Sequence, residues 1–203
     1  MKAKKILVSG ATGFVGSNLV RRLINENYEI HILTRKNSDK WRLKDVYKKV
    51  NDWNIDLTEK EKLEKIVNKI KPDIIFHLGA QSIYEGIQAS DDKLIKTNFL
   101  GTKNLIDSCN LIDYGCFVNT GSSSEYGIKP KSMQEKDICI PINMYGLTKN
   151  MATKYGQFIA LTKNKPILSL RLFSPYGPFD YQERLIVFGL NYVVDCATLF
   201  ANG

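Results

Sequence analysis

The sequence has few cysteines and histidines and lacks a long uninterrupted apolar run. The stretch 185–200 is broken by Asn191 and Asp195 and is shorter than a membrane helix requires. Residues 1–5 are basic, but the apolar run after them is too short for a secretory signal. The four cysteines are widely separated and form no C-x-x-C pair: Cys109, Cys116, Cys139 and Cys196. We therefore expect no metal site, no disulfide framework and no membrane crossing, and a reducing cytoplasm as the setting.

Positive charge, in contrast, is in excess. The formal net charge is +8, from 29 Lys and Arg against 21 Asp and Glu, in a chain of 203 residues. The cations are spread through helical stretches such as 60–71, which favours a solvated lysine-rich surface over a nucleic-acid-binding stripe. A positive field also favours an anionic cofactor and substrate. With 43% hydrophobic residues, the length fits one main globular domain.

Short apolar runs alternate with amphipathic helical patterns along the chain. Five runs predict buried strands: 5–9, 29–34, 73–78, 115–120 and 167–173. A further candidate strand, without assigned bounds, precedes Asp56. Four patterns predict helices: 14–25, 59–70, about 93–109 and 145 to about 161. The alternation predicts an α/β fold with a doubly wound parallel sheet of the Rossmann type. Residues 126–143 are expected to form a long functional loop.

The first predicted strand runs directly into a glycine-rich turn. Gly10, Gly13 and Gly16 form G-x-x-G-x-x-G just before the first helix. Glycines permit a sharp turn, and the backbone N–H groups and helix N-terminus can then bind a pyrophosphate. An ordinary glycine turn is the alternative, but the position between strand and helix favours a dinucleotide loop. The residues expected to contact the cofactor here are Gly10, Thr12, Gly13, Phe14, Val15 and Gly16.

The end of the second predicted strand carries cations in place of a carboxylate. An acidic residue there would bind the ribose of NAD, whereas Arg35 and Lys36 suit a 2′-phosphate. We therefore favour NADP(H) over NAD(H), with exposed loop cations as the alternative. Asp56 and Leu57 are candidates for the adenine edge, although an Asp before Thr58 is equally a helix N-terminal signal.

Tyr145 and Lys149 lie four residues apart at the predicted start of a helix, so both side chains project from one face. A tyrosine with a reference pKa of about 10 must shift by about 3 units, or about 4 kcal/mol, to act as an acid–base near neutrality. An ammonium about 5 Å away supplies about 3 kcal/mol at an effective dielectric of ~20. Y-x-x-x-K alone is common on protein surfaces, so the pair needs support from its surroundings.

That support comes from the ends of the predicted strands. Ser122 follows the strand 115–120, in a Gly/Ser-rich turn that either serves as a plain turn or presents a hydroxyl to a substrate oxygen. Each of five candidate residues follows a different predicted strand: Gly10, Arg35, Asp56, Gly79 and Ser122. In a doubly wound sheet all these ends open onto the crevice where ligands bind. The separate signals therefore converge on one site.

On these residues the chain resembles an extended short-chain dehydrogenase/reductase of the NAD-dependent epimerase/dehydratase group, whose members modify nucleotide sugars. The matching positions span nearly the whole chain: Gly10, Gly13, Gly16, Asp56-Leu57, His77 to Ala80, Asn98 to Thr102, Ser122, Tyr126-Gly127, Pro141, Tyr145, Lys149 and 171–178. The resemblance implies that Tyr145 is the acid–base, that Lys149 holds the nicotinamide ribose and lowers the tyrosine pKa, and that Ser122 steadies the reacting oxygen.

The resemblance also implies further contacts and an assembly state. Additional cofactor contacts are expected from Leu57, Leu78, Gly79, Ala80, Asn98 and Phe173. Substrate contacts are expected from Gln81, Ser123, Ser124 and Ser174. His31 and His77 are expected to be structural or close to the cofactor rather than metal ligands. The expected partners are a nucleotide sugar and a second copy of the chain in a homodimer.

Departures from the family pattern bear on the reaction. Dehydratases of the group carry an acidic or Ser-Glu pair where this chain has Ser123 and Ser124, which disfavours elimination of water. Ser174 stands where 4-epimerases often have Asn. The segments 121–127 and 171–178 are more similar to 4-ketosugar reductases of the CDP-abequose or CDP-paratose synthase type. We therefore expect 4-ketosugar reduction, with 4-epimerisation as one alternative and a cofactor-binding module without turnover as another.

Family members continue well past the equivalent of Pro178. We therefore expect residues 1–173 to form the Rossmann domain and 174–203 to begin a truncated substrate-binding lobe. Several apolar side chains would then lack partners: Leu185, Ile186, Val187, Phe188, Leu190, Val193 and Val194. The expected consequence is cofactor binding with weak or absent sugar turnover, and association through 185–203.

Overall fold

A six-stranded sheet forms the centre of the computed structural model, which describes residues 3–81 and 89–180. Its strands, all parallel, are β1 (Lys5–Ser9), β2 (Glu29–Thr34), β3 (Asn51–Asn54), β4 (Ile74–His77), β5 (Cys116–Ser122) and β6 (Ile167–Leu172). The helices are α1 (Phe14–Asn25), α2 (Lys60–Ile70), α3 (Asp91–Leu94), α4 (Thr102–Cys109) and α5 (Met144–Lys163). The strand order is β3-β2-β1-β4-β5-β6. This is the predicted doubly wound α/β architecture.

Both faces of the sheet are covered at β1. Ile6 and Val8 join a buried cluster with Val20 and Leu23 of α1, whereas Leu7 points into a second cluster with residues of α2, α4 and α5. Because alternate side chains of one strand enter different cores, the strand must be apolar at every position. The continuous apolar runs in the sequence therefore predicted β1 and β2 with their observed bounds.

Two features differ from the sequence expectation. The third predicted helix is interrupted by a π-helical turn, Ile95–Gly101, which separates α3 from α4. Strand β3 is short and largely polar, and it pairs with β2 at the sheet edge, where His31 lies opposite Asn51. An edge strand needs less apolar surface, so its bounds left little signal in the sequence.

The chain after β6 returns across the carboxyl edge of the sheet to α1. Asn18 Nδ2 donates a 2.8 Å hydrogen bond to the Pro178 carbonyl, and Arg42 Nε donates a 2.7 Å bond to the carbonyl of Phe179. Strand β6 lies at one edge of the sheet and Arg42 lies beyond β2, so the segment passes the ends of the strands between them.

The described part of the chain contains no helix long and apolar enough to cross a membrane. The predicted association segment, residues 185–203, lies outside the described residues, as does Cys196. The boundary placed at residue 173 remains a prediction.

Candidate active site

The turn after β1 is packed directly on the turn after β4. Gly10 has a φ of +71°, and a Cβ there would lie 2.5 Å from the Gly79 nitrogen and the Leu78 carbonyl carbon. A Cβ on Gly16 would overlap the Gly10 carbonyl oxygen. Glycine is therefore required at position 10 for the close approach of the two turns, and at position 16 for the close approach of α1 to the turn before it.

The N-terminus of α1 offers uncapped donors to an anion. Gly13 is the N-cap and makes no side-chain capping bond, and the first turn carries no acidic residue. The first N–H groups of a helix have no intrahelical partner, and the helix dipole places partial positive charge there. Phe14 and Val15 thus present backbone donors at the point predicted for the pyrophosphate, and this turn fits a dinucleotide.

The ends of β2 and β3 enclose a cavity of about 410 Å³. Its lining residues are Arg35, Lys36, Asn37, Asn54, Asp56 and Glu59. Asp56 Oδ1 is occupied by the N–H and hydroxyl of Thr58, and Glu59 accepts from the Asp56 N–H and pairs with Lys62. Arg35 and Lys36 are exposed. The cavity therefore presents two exposed cations to a ligand, beside two carboxylates that are partly engaged in hydrogen bonds within the protein.

A buried hydrogen-bond chain runs through His77. The Gly79 N–H donates to Ser9 Oγ, and Ser9 Oγ lies 2.6 Å from His77 Nδ1. His77 Nε2 lies 2.7 Å from Thr102 Oγ1, which donates its own proton to the Asn98 carbonyl. The hydroxyl of Thr102 must therefore accept from Nε2–H, and Nδ1 accepts from Ser9. Burial, aided by the charge of Lys149, lowers the His77 pKa to about 3, so the ring is neutral.

Asn98, in the π-helical turn, fixes the chain after β4. Its Oδ1 accepts from the Gln81 N–H at 2.7 Å, and its Nδ2 donates to the Gln81 carbonyl at 3.0 Å. The same Nδ2 lies 3.3 Å from Thr148 Oγ1 on α5. A π-helical turn often marks a functional site. Asn98 thus ties Gln81, predicted to meet substrate, to the helix that carries Tyr145.

Ser122 is the last residue of β5 and caps the short turn after it. Its Oγ accepts from the Ser124 N–H at 3.2 Å, and its own N–H donates to Glu125 Oε1 at 2.9 Å. The Ser122 hydroxyl proton has no acceptor among the described residues. It can therefore donate to a substrate oxygen.

Helix α5 begins against this turn. The Asn143 side chain caps it by accepting from the Gly146 N–H at 2.7 Å. Gly146 packs so closely on the Ser124 carbonyl that a Cβ would overlap it. Tyr145 is in the first turn of the helix and half-buried, beside the loop that holds Ser122.

Lys149 lies one turn further along α5 and is 4% exposed. Burial lowers its pKa to about 8, and the charge of Glu125 opposes that effect. Its Nζ makes no hydrogen bond to another residue of the described ranges. A buried ammonium of this kind fits the hydroxyl groups of a bound ribose, the role predicted for it.

Phe173 and Ser174 follow β6 on the same edge. The Phe173 ring lies 6.1 Å from that of Tyr126, which also receives a hydrogen bond from Arg171. Ser174 has a φ of +38°, and Gly177 lies against the Phe14 ring. The segment after β6 therefore approaches the phosphate turn, which sequence reasoning did not anticipate.

The fold thus brings the predicted residues to one edge of the sheet, although some take part through their backbone. Sequence reasoning assigned no role to the residues that hold them: Ser9, Thr102, Glu125, Thr148, Thr153 and Arg171. Thr102, Glu125 and Arg171 nevertheless lie in segments that resemble the family. His31 lies away from this edge: it accepts a hydrogen bond from Trp53 Nε1 and bonds to Glu29 at the other end of β2.

Within residues 3–81 and 89–180, no group of His, Cys, Asp and Glu is arranged to hold a metal ion.

Comparison with known proteins identifies a family for this chain. The model of the NAD dependent epimerase/dehydratase family matches residues 6–188. A dTDP-D-glucose 4,6-dehydratase of Dictyostelium discoideum is 28% identical over 210 residues, covering 95% of this chain and 48% of that protein. The chain therefore spans about half the length of this curated relative.

Solved structures share the fold. A UDP-glucose 4-epimerase of Thermotoga maritima, solved with UDP-glucose, superposes with a TM-score of 0.80 at 24% identity, covering 89% of this chain and 59% of that one. A UDP-glucuronic acid 4-epimerase of Bacillus cereus, solved with UDP-glucuronic acid and NAD, gives 0.78 at 24% identity, covering 94% and 63%.

Proposed function

The chain belongs to the NAD dependent epimerase/dehydratase family, and on that premise we propose that it is an NAD(P)-dependent oxidoreductase of a nucleotide-activated sugar. The observation that carries the proposal is the arrangement of Ser122, Tyr145 and the buried Lys149 at the sheet edge that also holds the phosphate turn. The proposed reaction is reduction of a 4-ketosugar.

Each residue has a distinct part in that reaction. A bound nicotinamide cofactor would supply the hydride. Tyr145 donates its hydroxyl proton to the ketone oxygen, so that hydride and proton together convert the carbonyl to an alcohol. Ser122 donates a hydrogen bond to the same oxygen, and Lys149 holds a ribose hydroxyl and stabilises the tyrosinate left behind. The uncapped turn at Phe14 and Val15 would hold the pyrophosphate.

Three observations bear on the choice between a reductase and a 4-epimerase. The cations at Arg35 and Lys36 suit NADPH, which a reductase consumes and must exchange. The anchored return of residues 173–180 favours a retained cofactor, as an epimerase uses, because Arg42 and Asn18 hold that segment across the strand ends. Ser174 in place of Asn counts against the epimerase, and we keep reduction as the first candidate.

Elimination of water is not proposed. The 4,6-dehydratase relative is similar over 48% of its length, but this chain has hydroxyls at Ser123 and Ser124 instead of a carboxylate at either position. A hydroxyl has too high a pKa to serve as the base for a sugar C–H proton near neutrality.

A turnover assay tests the proposal. The purified chain is given NADPH or NADH with a panel of nucleotide 4-ketosugars, and separately a panel of nucleotide sugars with either configuration at C4. NADPH oxidation with a 4-ketosugar supports the reductase, and interconversion of C4 epimers without net cofactor loss supports the epimerase. Cofactor binding with neither reaction would overturn the enzyme and leave a binding module. Sedimentation of the same sample tests the expected homodimer.

A further inference from the structure

A buried carboxylate lies directly beneath Ser122. Glu125 is 0% exposed, and both of its oxygens are occupied. Oε1 accepts from the Ser122 N–H at 2.9 Å and from Thr153 Oγ1 at 3.2 Å, and Oε2 accepts from Arg171 Nε at 2.8 Å. Arg171 also donates from Nη1 to the Tyr126 hydroxyl at 3.0 Å.

A local capping role accounts for only part of this arrangement. Ser122 and Glu125 form a capping box, a common motif that a solvent-exposed Glu serves equally well. Here the carboxylate is removed from water, which is costly unless charged and hydrogen-bonded partners compensate. The space is also made for it, because a Cβ on Gly121 would overlap Oε1. A capping role does not require that Glu125 be buried, that Arg171 be paired with it, or that Gly121 leave space beside it.

The helix that carries Lys149 faces this carboxylate. Thr153 lies four residues after Lys149, so the two side chains share one face of α5 one turn apart. Thr153 Oγ1 bonds to Glu125, which places Lys149 on the face of α5 turned towards it. Among the charged groups near Lys149, Glu125 raises the Lys149 pKa, and Lys149 in turn lowers the pKa of His77 on β4. Arg171 is paired with Glu125 itself.

We propose that Glu125 is a positioning residue of this site: its carboxylate fixes the backbone of Ser122 and is the counter-charge of the Lys149 ammonium. Arg171 holds the carboxylate in place and limits its field. The part concerning Ser122 rests on the proposed function, whereas the part concerning Lys149 does not. Removal of the charge at Glu125 therefore lowers the pH at which Lys149 loses its proton.

Lysine labelled with ¹³C at Cε gives a test without substrate. The Lys149 signal is the one missing from Lys149→Arg, and its titration midpoint is followed by NMR. In Glu125→Gln we expect the midpoint to fall by about one unit from the parent value, because the negative charge that raises it is lost. Asp107→Asn is the matched control: it removes a carboxylate paired with Lys103 and Tyr155, away from Ser122, and should not move the midpoint.

Glu125→Gln leaves the Arg171 guanidinium without its counter-ion and can fail to fold. The pair Arg171→Met and Glu125→Gln/Arg171→Met then isolates the charge of Glu125, and the double variant should titrate about one unit lower than the single one. An unchanged Lys149 midpoint in either comparison would overturn the counter-charge role.

Glu125→Asp separates positioning from charge. The shortened side chain keeps the charge near Lys149 but withdraws from the Ser122 N–H, so kcat should fall by about tenfold with little change in KM and in the Lys149 midpoint. Parent kcat in Glu125→Asp would overturn the positioning of Ser122. If the parent chain turns over no sugar, the proposed function has failed, while the NMR titration still decides the Glu125–Lys149 interaction.

Discussion

The two halves of the sheet bury their apolar side chains very differently. In β1 and β2, Ile6, Val8 and Ile32 are fully buried, and α1 packs on them. In β6, Leu168 and Leu170 are 42% and 51% exposed on one face. Within the described residues, the half proposed to bind the cofactor is therefore a closed structure, whereas the half next to the proposed catalytic residues has an open apolar face. Cofactor binding and sugar turnover should respond separately to substitution.

The largest difference between the effect on turnover and the effect on cofactor binding is expected at Tyr145. Tyr145→Phe removes only the acid–base hydroxyl, so turnover should fall by roughly a thousandfold while cofactor affinity stays near that of the parent. Lys149→Ala should reduce both, because the ammonium is expected to hold the ribose as well. NADPH oxidation measures the first effect and cofactor fluorescence the second. A Phe variant with most of the parent's turnover would remove Tyr145 from the chemistry.

The closed half should be the more sensitive to an added methyl group. Gly10→Ala combines a φ of +71° with a Cβ 2.5 Å from backbone atoms of Leu78 and Gly79, so it should cost on the order of 3 kcal/mol of unfolding free energy or prevent folding. Gly115→Ala is the control, since its Cβ would lie 3.4 Å from the nearest atom and should cost less than about 1 kcal/mol. Urea unfolding compares them, and equal losses would contradict the tight packing of these two turns.

His77 links the two halves and should make stability depend on pH. Its folded pKa is about 3, so below pH 6.5 the unfolded chain takes up a proton that the native state refuses. Stability is then lost as the pH falls, by about 2 kcal/mol between about pH 6.5 and pH 5. His77→Gln offers an acceptor and a donor to Ser9 and Thr102 without titrating, and should flatten that slope.

His31→Gln is the matched control for the same experiment. Burial also lowers the pKa of His31, but its bond to Glu29 opposes the shift, so its contribution to the slope should be smaller. Unfolding free energies measured by urea at several pH values decide the matter. If His77→Gln left the pH dependence of the unfolding free energy unchanged, the buried hydrogen-bond chain would not be what keeps the His77 ring neutral.

The preference between NADPH and NADH tests the cavity at the ends of β2 and β3, at the edge of the closed half. NADPH should bind more tightly than NADH, because Arg35 and Lys36 line the cavity and are exposed to a 2′-phosphate, while its carboxylates are partly engaged within the protein. Arg35→Ala should cost about tenfold in NADPH affinity, or about 1.4 kcal/mol, and leave NADH unaffected. Equal affinities in the parent chain would contradict the prediction.

The sequence predicted those parts of the molecule that depend on local pattern. The bounds of β1, α1 and β2 were correct because continuous apolar strands and a glycine turn leave unambiguous signals. The candidate catalytic residues were identified from the spacing of Tyr145 and Lys149 and from the family resemblance. Their convergence followed from strand order, because parallel strands share one carboxyl edge.

The contacts that hold the site left no local signal in the sequence. Glu125 and Arg171 meet across 46 positions, and Arg42 meets Phe179 across 137. Such contacts depend on which strands are neighbours and on where the chain returns, and a single sequence does not state either. The π-helical turn around Asn98 was missed for a related reason, since it keeps the amphipathic pattern of a helix while changing its hydrogen bonds.

The smallest expected effect on the unfolding free energy concerns the exposed apolar face of β6. Leu170→Thr replaces a half-exposed leucine on β6 with a residue of high strand propensity, so the unfolding free energy should change by less than about 0.5 kcal/mol. Leu7→Thr is the same substitution at a fully buried position of β1 and should cost several kcal/mol, roughly 3, by leaving a cavity and a buried hydroxyl. Urea unfolding of both variants at one pH gives the difference directly. If Leu170→Thr also cost more than about 1 kcal/mol, its face would be covered in solution, by chain outside the described residues or by a second copy, and the contrast between the halves would be wrong. Repeating the measurement over a range of protein concentrations separates these two sources, because only burial by a second copy makes the loss grow with concentration.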